Sequence, residues 1–335
     1  MNGTRSFPTI ASGVNKVLRL SQLFFSDKPD VLWTLCRQMG INLAVAKLAP
    51  ELTGKLPPWD FDSLAESKKR FKEGGFDLVA LEGDQFDMTR IKLGLPGREE
   101  DAEHYRMMLR NMGKLGITTL CYNFMQTGWF RTRKDIPERG GAKVTGFDAE
   151  EAALLPPKPY APVSADKIWD NYRWFINEVM PTAEEVGVKM GLHPDDPPVP
   201  NVEGVDRIFI SPEAIKKALS LSDSPSHCLT FCQGTYLTMG VDIPSFFKEV
   251  RDRIVFIHFR DIVGKATKFR ETFHDNGPTD MAAMIRLYAR EGFEGLIRSD
   301  HVPAMQGDDN TRPGYSINGT LFGVGYLKGL LDASI

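Results

Sequence analysis

Gly295-Leu296-Ile297-Arg298-Ser299-Asp300-His301 reads as a short buried strand, Gly295 to Arg298, that runs into a carboxylate and an imidazole side by side. Three other strand-like runs end in a soft or borderline metal ligand. Val188 to Leu192 leads to His193, Cys228 to Phe231 to Cys232, and Ile254 to Ile257 to His258. Upstream the same short apolar runs recur. They are Leu18 to Phe25, Ile41 to Ala46, Phe76 to Glu82 and Thr118 to Phe124.

An amphipathic stretch follows each run. Asp27-Lys28-Pro29-Asp30 opens a helix to about Met39, and further helices are expected over Asp60–Glu73, Glu99–Leu115 and Ala165–Val186. Gly116 is a stop and Ser164 an N-cap. Ser211-Pro212-Glu213 starts a short helix, and others are expected over Pro244–Arg251, Asp280–Glu291 and Asn318–Leu331. Repeated strand–helix units imply parallel strands with right-handed crossovers. Eight of them fit an α/β fold of the TIM (β/α)8 barrel type. No strand leads into the Gly-x-Gly-x-x-Gly turn that would favour an open dinucleotide-binding sheet. Residues 1–335 read as one domain. Gln126 to Val163 breaks the rhythm, being rich in Pro, Gly and charge, and is expected to be mostly a long loop after the fourth strand.

The 335 residues are 42% hydrophobic and 25% charged, ordinary values for a soluble globular protein. A net charge of −3 gives no reason to expect nucleic acid or an anionic membrane as partner. No apolar run approaches the roughly 18 residues of a membrane helix. Met1 to Val14 lacks the apolar core and basic flank of a signal peptide. Four cysteines make no disulfide framework, so reduced thiols in a cytoplasm are expected. A barrel of this size is expected to form a homo-oligomer, a dimer or larger, and to act on a small molecule.

In a barrel the reacting groups sit at the C-terminal strand ends. Adjacent strands lie about 5 Å apart, so His193, Cys232, His258 and Asp300 can reach one ion. Two imidazoles, a thiolate and a carboxylate suit Mn²⁺, Zn²⁺, Co²⁺ or Fe²⁺. Each ligand has a bland reading. His193 could cap the turn of His193-Pro194-Asp195-Asp196-Pro197-Pro198, a lone Cys232 is ordinarily structural, and His258 could be a satisfied core histidine. Asp300 is hardest to explain that way, because a carboxylate ending an apolar strand needs a partner.

His301 is placed for proton transfer beside the ion. Tyr315, in a Pro/Gly turn, can join it as acid or base. Glu82 ends the third strand and Tyr122-Asn123 end the fourth, all as substrate contacts. Arg131 or Arg133 could hold an anion, and His274 lies on the loop after the seventh strand. Such parts can dehydrate a hydroxy acid. They can equally isomerise or epimerise a sugar, with Glu82 as proton carrier.

Several stretches resemble the mannonate dehydratase family. They include Leu120 to Met125, Trp129 with Arg131, Ala183 to Val188, His193 to Pro198, and Cys232 with Gly234 and Tyr236. His258-Phe259-Arg260, Phe269 with Glu271 and His274, Arg298 with Asp300-His301, and Pro313 to Ser316 complete them. The resemblance runs from about Asp27 to Leu331. It implies a TIM barrel, Mn²⁺ or a similar ion on His193, Cys232, His258 and Asp300, and conversion of D-mannonate to 2-keto-3-deoxy-D-gluconate. It implies that His301 and Tyr315 form the acid–base pair and leaves their order open, Tyr315 as base at C2 with His301 as acid at the 3-hydroxyl being one assignment. It also adds Arg260 to the expected substrate contacts. This chain departs from the pattern at Ala46-Lys47, where the family usually has two histidines. It departs again at Val199 and Thr320 (usually Arg), at Arg270 (usually His), at Val302 and Pro303, and in a shorter insertion over Val144–Val163.

Overall fold

The computed structural model describes residues 18–334, so the reading of Met1 to Val14 lies outside the described residues. Eight barrel strands are labelled in chain order. β1 is Arg19–Leu20 with Gln22–Phe24, β2 Leu43–Ala46, β3 Asp77–Glu82 and β4 Thr119–Tyr122. β5 is Lys189–Leu192, β6 His227–Cys232, β7 Ile254–Phe259 and β8 Leu296–Ser299. Every neighbouring pair is parallel. The first half of β1 pairs with β8 and the second half with β2, and only Ser21 separates the halves. That shared strand closes the sheet into a cylinder.

The helices take the places that their caps dictate. The helix Val31–Gln38 starts on Asp30, whose side chain accepts from the Trp33 N–H. Asp60, Ser164, Ser211, Asp242 and Asp280 cap the helices that begin one residue later in the same way. Each cap satisfies a backbone donor that the first turn leaves free.

Alternation along the strands sets the core and, with it, the site. Leu23, Val45, Val79, Cys121, Phe256 and Leu296 form one buried cluster, the barrel interior. Their neighbours Phe24, Ala46, Tyr122, Ile257 and Ile297 belong to a larger cluster shared with helix residues such as Trp33, Phe71, Phe175 and Phe247. Successive strand side chains point to opposite faces. Two residues beyond Leu23, Val45, Cys121, Phe256 and Leu296, at the C-terminal rim, the inward positions are therefore Phe25, Lys47, Asn123, His258 and Arg298.

Gln126–Val163 holds regular structure within its loop. Arg133–Pro137 and Lys143–Asp148 form an antiparallel hairpin. It pairs with a second hairpin after β7, Ile262–Lys265 and Lys268–Glu271, through Phe269↔Phe147 and Arg270↔Gly146. The four strands make a small sheet over the barrel rim. Phe147, Val199, Val202, Ile262 and Phe269 bury its inner face. Gly146 is needed there, since a Cβ would stand 2.7 Å from the Phe269 carbonyl oxygen. Proline and charge hid this hairpin in the sequence, because its pairing partner lies more than a hundred residues away.

Candidate active site

Strands β5, β6 and β7 deliver His193, Cys232 and His258 to one place, with one ligand atom of each within 4.8 Å of the others. His193 Nδ1 lies 2.7 Å from the Pro194 carbonyl oxygen, which turns its Nε2 toward the site. Burial alone would raise the Cys232 thiol. The Arg260 guanidinium and the His193 ring instead hold it well below its ordinary value, as a thiolate. His258 Nδ1 is buried without a hydrogen-bond partner. A thiolate, an inward-turned imidazole and an orphaned ring nitrogen form a donor set that fits a divalent ion.

Asp300 approaches from β8. Its Oδ2 is 3.7 Å from His258 Nδ1 and 3.2 Å from Arg260 Nε, while Oδ1 accepts from Arg298 at 2.8 Å. Burial opposes ionisation, but Arg298, His301, His258 and Arg260 hold this carboxyl well below the usual range. Glu82, with Cys121 and His258, makes a second group on the other side of the same imidazole. Arg298 grips Glu82 with two donors, at 2.5 and 3.0 Å. Burial would raise Glu82, yet Arg298 brings it down to about 2.

His301 follows Asp300 with φ of +34°, in the left-handed region that side chains rarely adopt. The Val302 N–H bond to the Gly314 carbonyl, at 2.8 Å, holds this turn. The turn brings His301 Nδ1 to 3.0 Å from Glu271 Oε1 and leaves Nε2 3.7 Å from Asp300 Oδ1. Trp129 and Tyr315 lie against the ring, with centroids 5.0 and 5.4 Å away. Tyr315 packs edge-on against Phe25. Burial first, then the Asp300 and Glu82 charges, raise its phenol well above the ordinary value.

A buried charge network supports these groups. Arg260 donates to both oxygens of Glu271 at 2.9 and 2.8 Å, and to Asp196 Oδ2 at 2.9 Å. Arg131 adds a two-pronged pair with Asp196, at 2.7 and 2.8 Å, and reaches Glu271 at 2.6 Å. Burial works against Glu271 ionising, but Arg260, His301 and Arg131 lower it to about 2.

Three expected substrate contacts, Tyr122, Arg131 and His274, are engaged elsewhere, while Asn123 keeps its inward rim position. Tyr122 faces the helices, its hydroxyl 2.9 Å from that of Tyr172, because Cys121 takes the inward position. Asn123 accepts from Lys92 Nζ at 3.1 Å and from the Met125 N–H. Arg131 is committed to Asp196 and Glu271, so it braces the site and is not free to hold an anion. His274 lies behind β7 and β8, bonded to the Phe259 carbonyl at 2.9 Å and 3.1 Å from Ser299 Oγ. Arg260 is buried in the charge network beside the candidate metal cluster, and Glu82 remains at the rim. Asp196 and Arg298 sit inside quoted stretches, and Glu271 beside Phe269, but no local pattern shows that they pair. The placement of Tyr122 has a direct consequence. Tyr122→Phe should cost about 1 kcal/mol of stability, one buried hydrogen bond, and leave kcat within twofold. Chemical denaturation and steady-state kinetics would measure both, and a large loss of kcat would return Tyr122 to the site.

Fold and site together define a TIM-barrel hydro-lyase of the sugar-acid dehydratase class. The family model described as D-mannonate dehydratase (UxuA) matches residues 18–158 and 152–335. The chain belongs to the D-mannonate dehydratase family. It is 32% identical over 332 residues to a mannonate dehydratase of Shouchella clausii, covering 88% of this chain and 90% of that one. The crystal structure of mannonate dehydratase from Streptococcus suis serotype 2 superposes with a TM-score of 0.86 at 30% identity, over 95% of each chain. A xylose isomerase domain protein from Planctomyces limnophilus shares the fold alone, with a TM-score of 0.61 at 11% identity. No helix among the described residues is long and apolar enough to cross a membrane.

Proposed function

We propose that this enzyme removes water from D-mannonate to give 2-keto-3-deoxy-D-gluconate, using a divalent ion, Mn²⁺, held by His193, Cys232, His258 and Asp300. The observation that carries this reading is the buried His193–Cys232–His258 cluster beside the His301–Glu271 pair. When bound, the ion supplies positive charge that polarises the substrate carboxylate and stabilises the charge that builds up when C2 is deprotonated.

The proton transfers fall to His301 and Tyr315. Glu271 accepts the Nδ1 proton of His301, so the other ring nitrogen is the free base in the neutral ring. It takes the proton from C2. The electron pair forms the C2–C3 double bond, and the 3-hydroxyl leaves with the phenol proton of Tyr315 as water. The resulting enol becomes the 2-keto acid. Burial and neighbouring carboxylates keep the phenol protonated, which suits a donor. The resemblance names the same pair, and this order is the reverse of the first assignment, Tyr315 as base and His301 as acid. The isomerase reading asks Glu82 to carry protons, and Arg298 occupies that carboxylate with two donors. Four free, buried cysteines support a reducing compartment, the cytoplasm.

The test is to incubate metal-stripped protein with D-mannonate, with and without Mn²⁺. The expected result is a 2-keto-3-deoxy acid only with the ion. Stoichiometric metal without product would overturn D-mannonate as substrate.

A further inference from the structure

Lys47 follows β2, and its N–H continues the pairing by donating to the Phe24 carbonyl at 2.9 Å. Val45 points into the barrel, so Lys47 points inward too, one layer nearer the rim. It is half-buried. Its Cδ and Cε lie 3.7 and 4.0 Å from where a Cβ on Gly83 would stand, so the chain runs past the end of β3. Among the described residues its ammonium has no ion pair. The cations around the candidate metal cluster are engaged: Arg298 on Glu82 and Asp300, Arg260 and Arg131 on Asp196 and Glu271, and Lys92 on Asp84.

Glu82, Asp196, Glu271 and Asp300 are already paired with Arg131, Arg260 and Arg298. An acid substrate brings a further carboxylate that these engaged guanidiniums are not free to receive. β2 stands apart from the ligand-bearing strands, with β3 and β4 between it and β5 on one side and β1 between it and β8 on the other. Lys47 therefore enters the mouth from outside the arc of metal ligands.

We infer that Lys47 is a specificity-determining residue whose ammonium receives the substrate carboxylate oxygen turned away from the metal ligands. This rests on the reading of the site as a sugar-acid dehydratase. It explains how the site selects an acid over the corresponding neutral polyol.

The test is calorimetric binding to Mn²⁺-loaded His301→Ala protein, which blocks turnover, with and without Lys47→Met or Lys47→Arg. The ligands are D-mannonate, a set of other aldonates, and D-mannitol. Lys47→Met should weaken aldonate binding about 10- to 100-fold, the loss of one charged hydrogen bond. Mannitol affinity should not change, and Lys47→Arg should stay within a few fold of the parent. Equal losses for mannitol and aldonate, or no loss for either, would overturn the proposal. Weakened binding of another aldonate, with no D-mannonate binding, would keep Lys47 in this role and remove D-mannonate as substrate. If no aldonate binds, both readings fall.

Discussion

His301→Ala should lower kcat on D-mannonate by about 10³-fold, within the range for a lost general base, while Mn²⁺ stoichiometry stays at that of the parent. The imidazole contributes no atom to the His193–Cys232–His258 cluster, so metal retention separates lost chemistry from a collapsed site. Exchange of the C2 hydrogen with deuterated solvent separates the two proton transfers. His301→Ala should lose exchange and dehydration together. Tyr315→Phe should keep exchange and lose dehydration, since only the departing hydroxyl lacks its donor. The opposite pattern would return the base to Tyr315 and the acid to His301.

Arg260→Met should be the most destabilising single substitution in the site, at roughly 3–5 kcal/mol, because removing one partner strands buried charges. Arg260 is 1% exposed and touches Glu271, Asp196, Asp300 and the Cys232 thiolate. Methionine fills much of the volume and supplies none of the charge. Acid sensitivity should change as well. In the parent, Glu271 titrates near 2 against a usual 4.5. Its contribution is full above pH 4.5 and is lost as pH falls toward 2. Without Arg260 the folded-state value rises, and acid unfolding begins at higher pH. Thermal melts from pH 3 to 8 would show it. A melting curve like the parent's at every pH would mean that Arg131 alone holds the carboxylates.

The barrel was readable from residues 18–334 because its signal is local. Parallel strands buried on both faces are nearly continuous apolar runs, and their helices carry their own caps. The candidate metal-binding cluster was readable for the same reason: His193, Cys232 and His258 stand at or beside the ends of such runs. Tyr122 shows the limit. Placing it at the end of β4 was right, but its face depends on Cys121 taking the interior position.

What the sequence by itself determined was the order of strands and helices, and which residues stand at the strand ends. What only the tertiary structure decided was which of those residues are free to act. Arg131 resembles an anion-binding arginine until Asp196 and Glu271 close on it, from 65 and 140 residues away. His301 resembles any histidine after a strand until Glu271, 30 residues earlier, accepts a hydrogen bond from its Nδ1. Periodicity and capping act between near neighbours along the chain. Charge pairing acts through space, so the ownership of each buried charge is settled only when distant segments pack together.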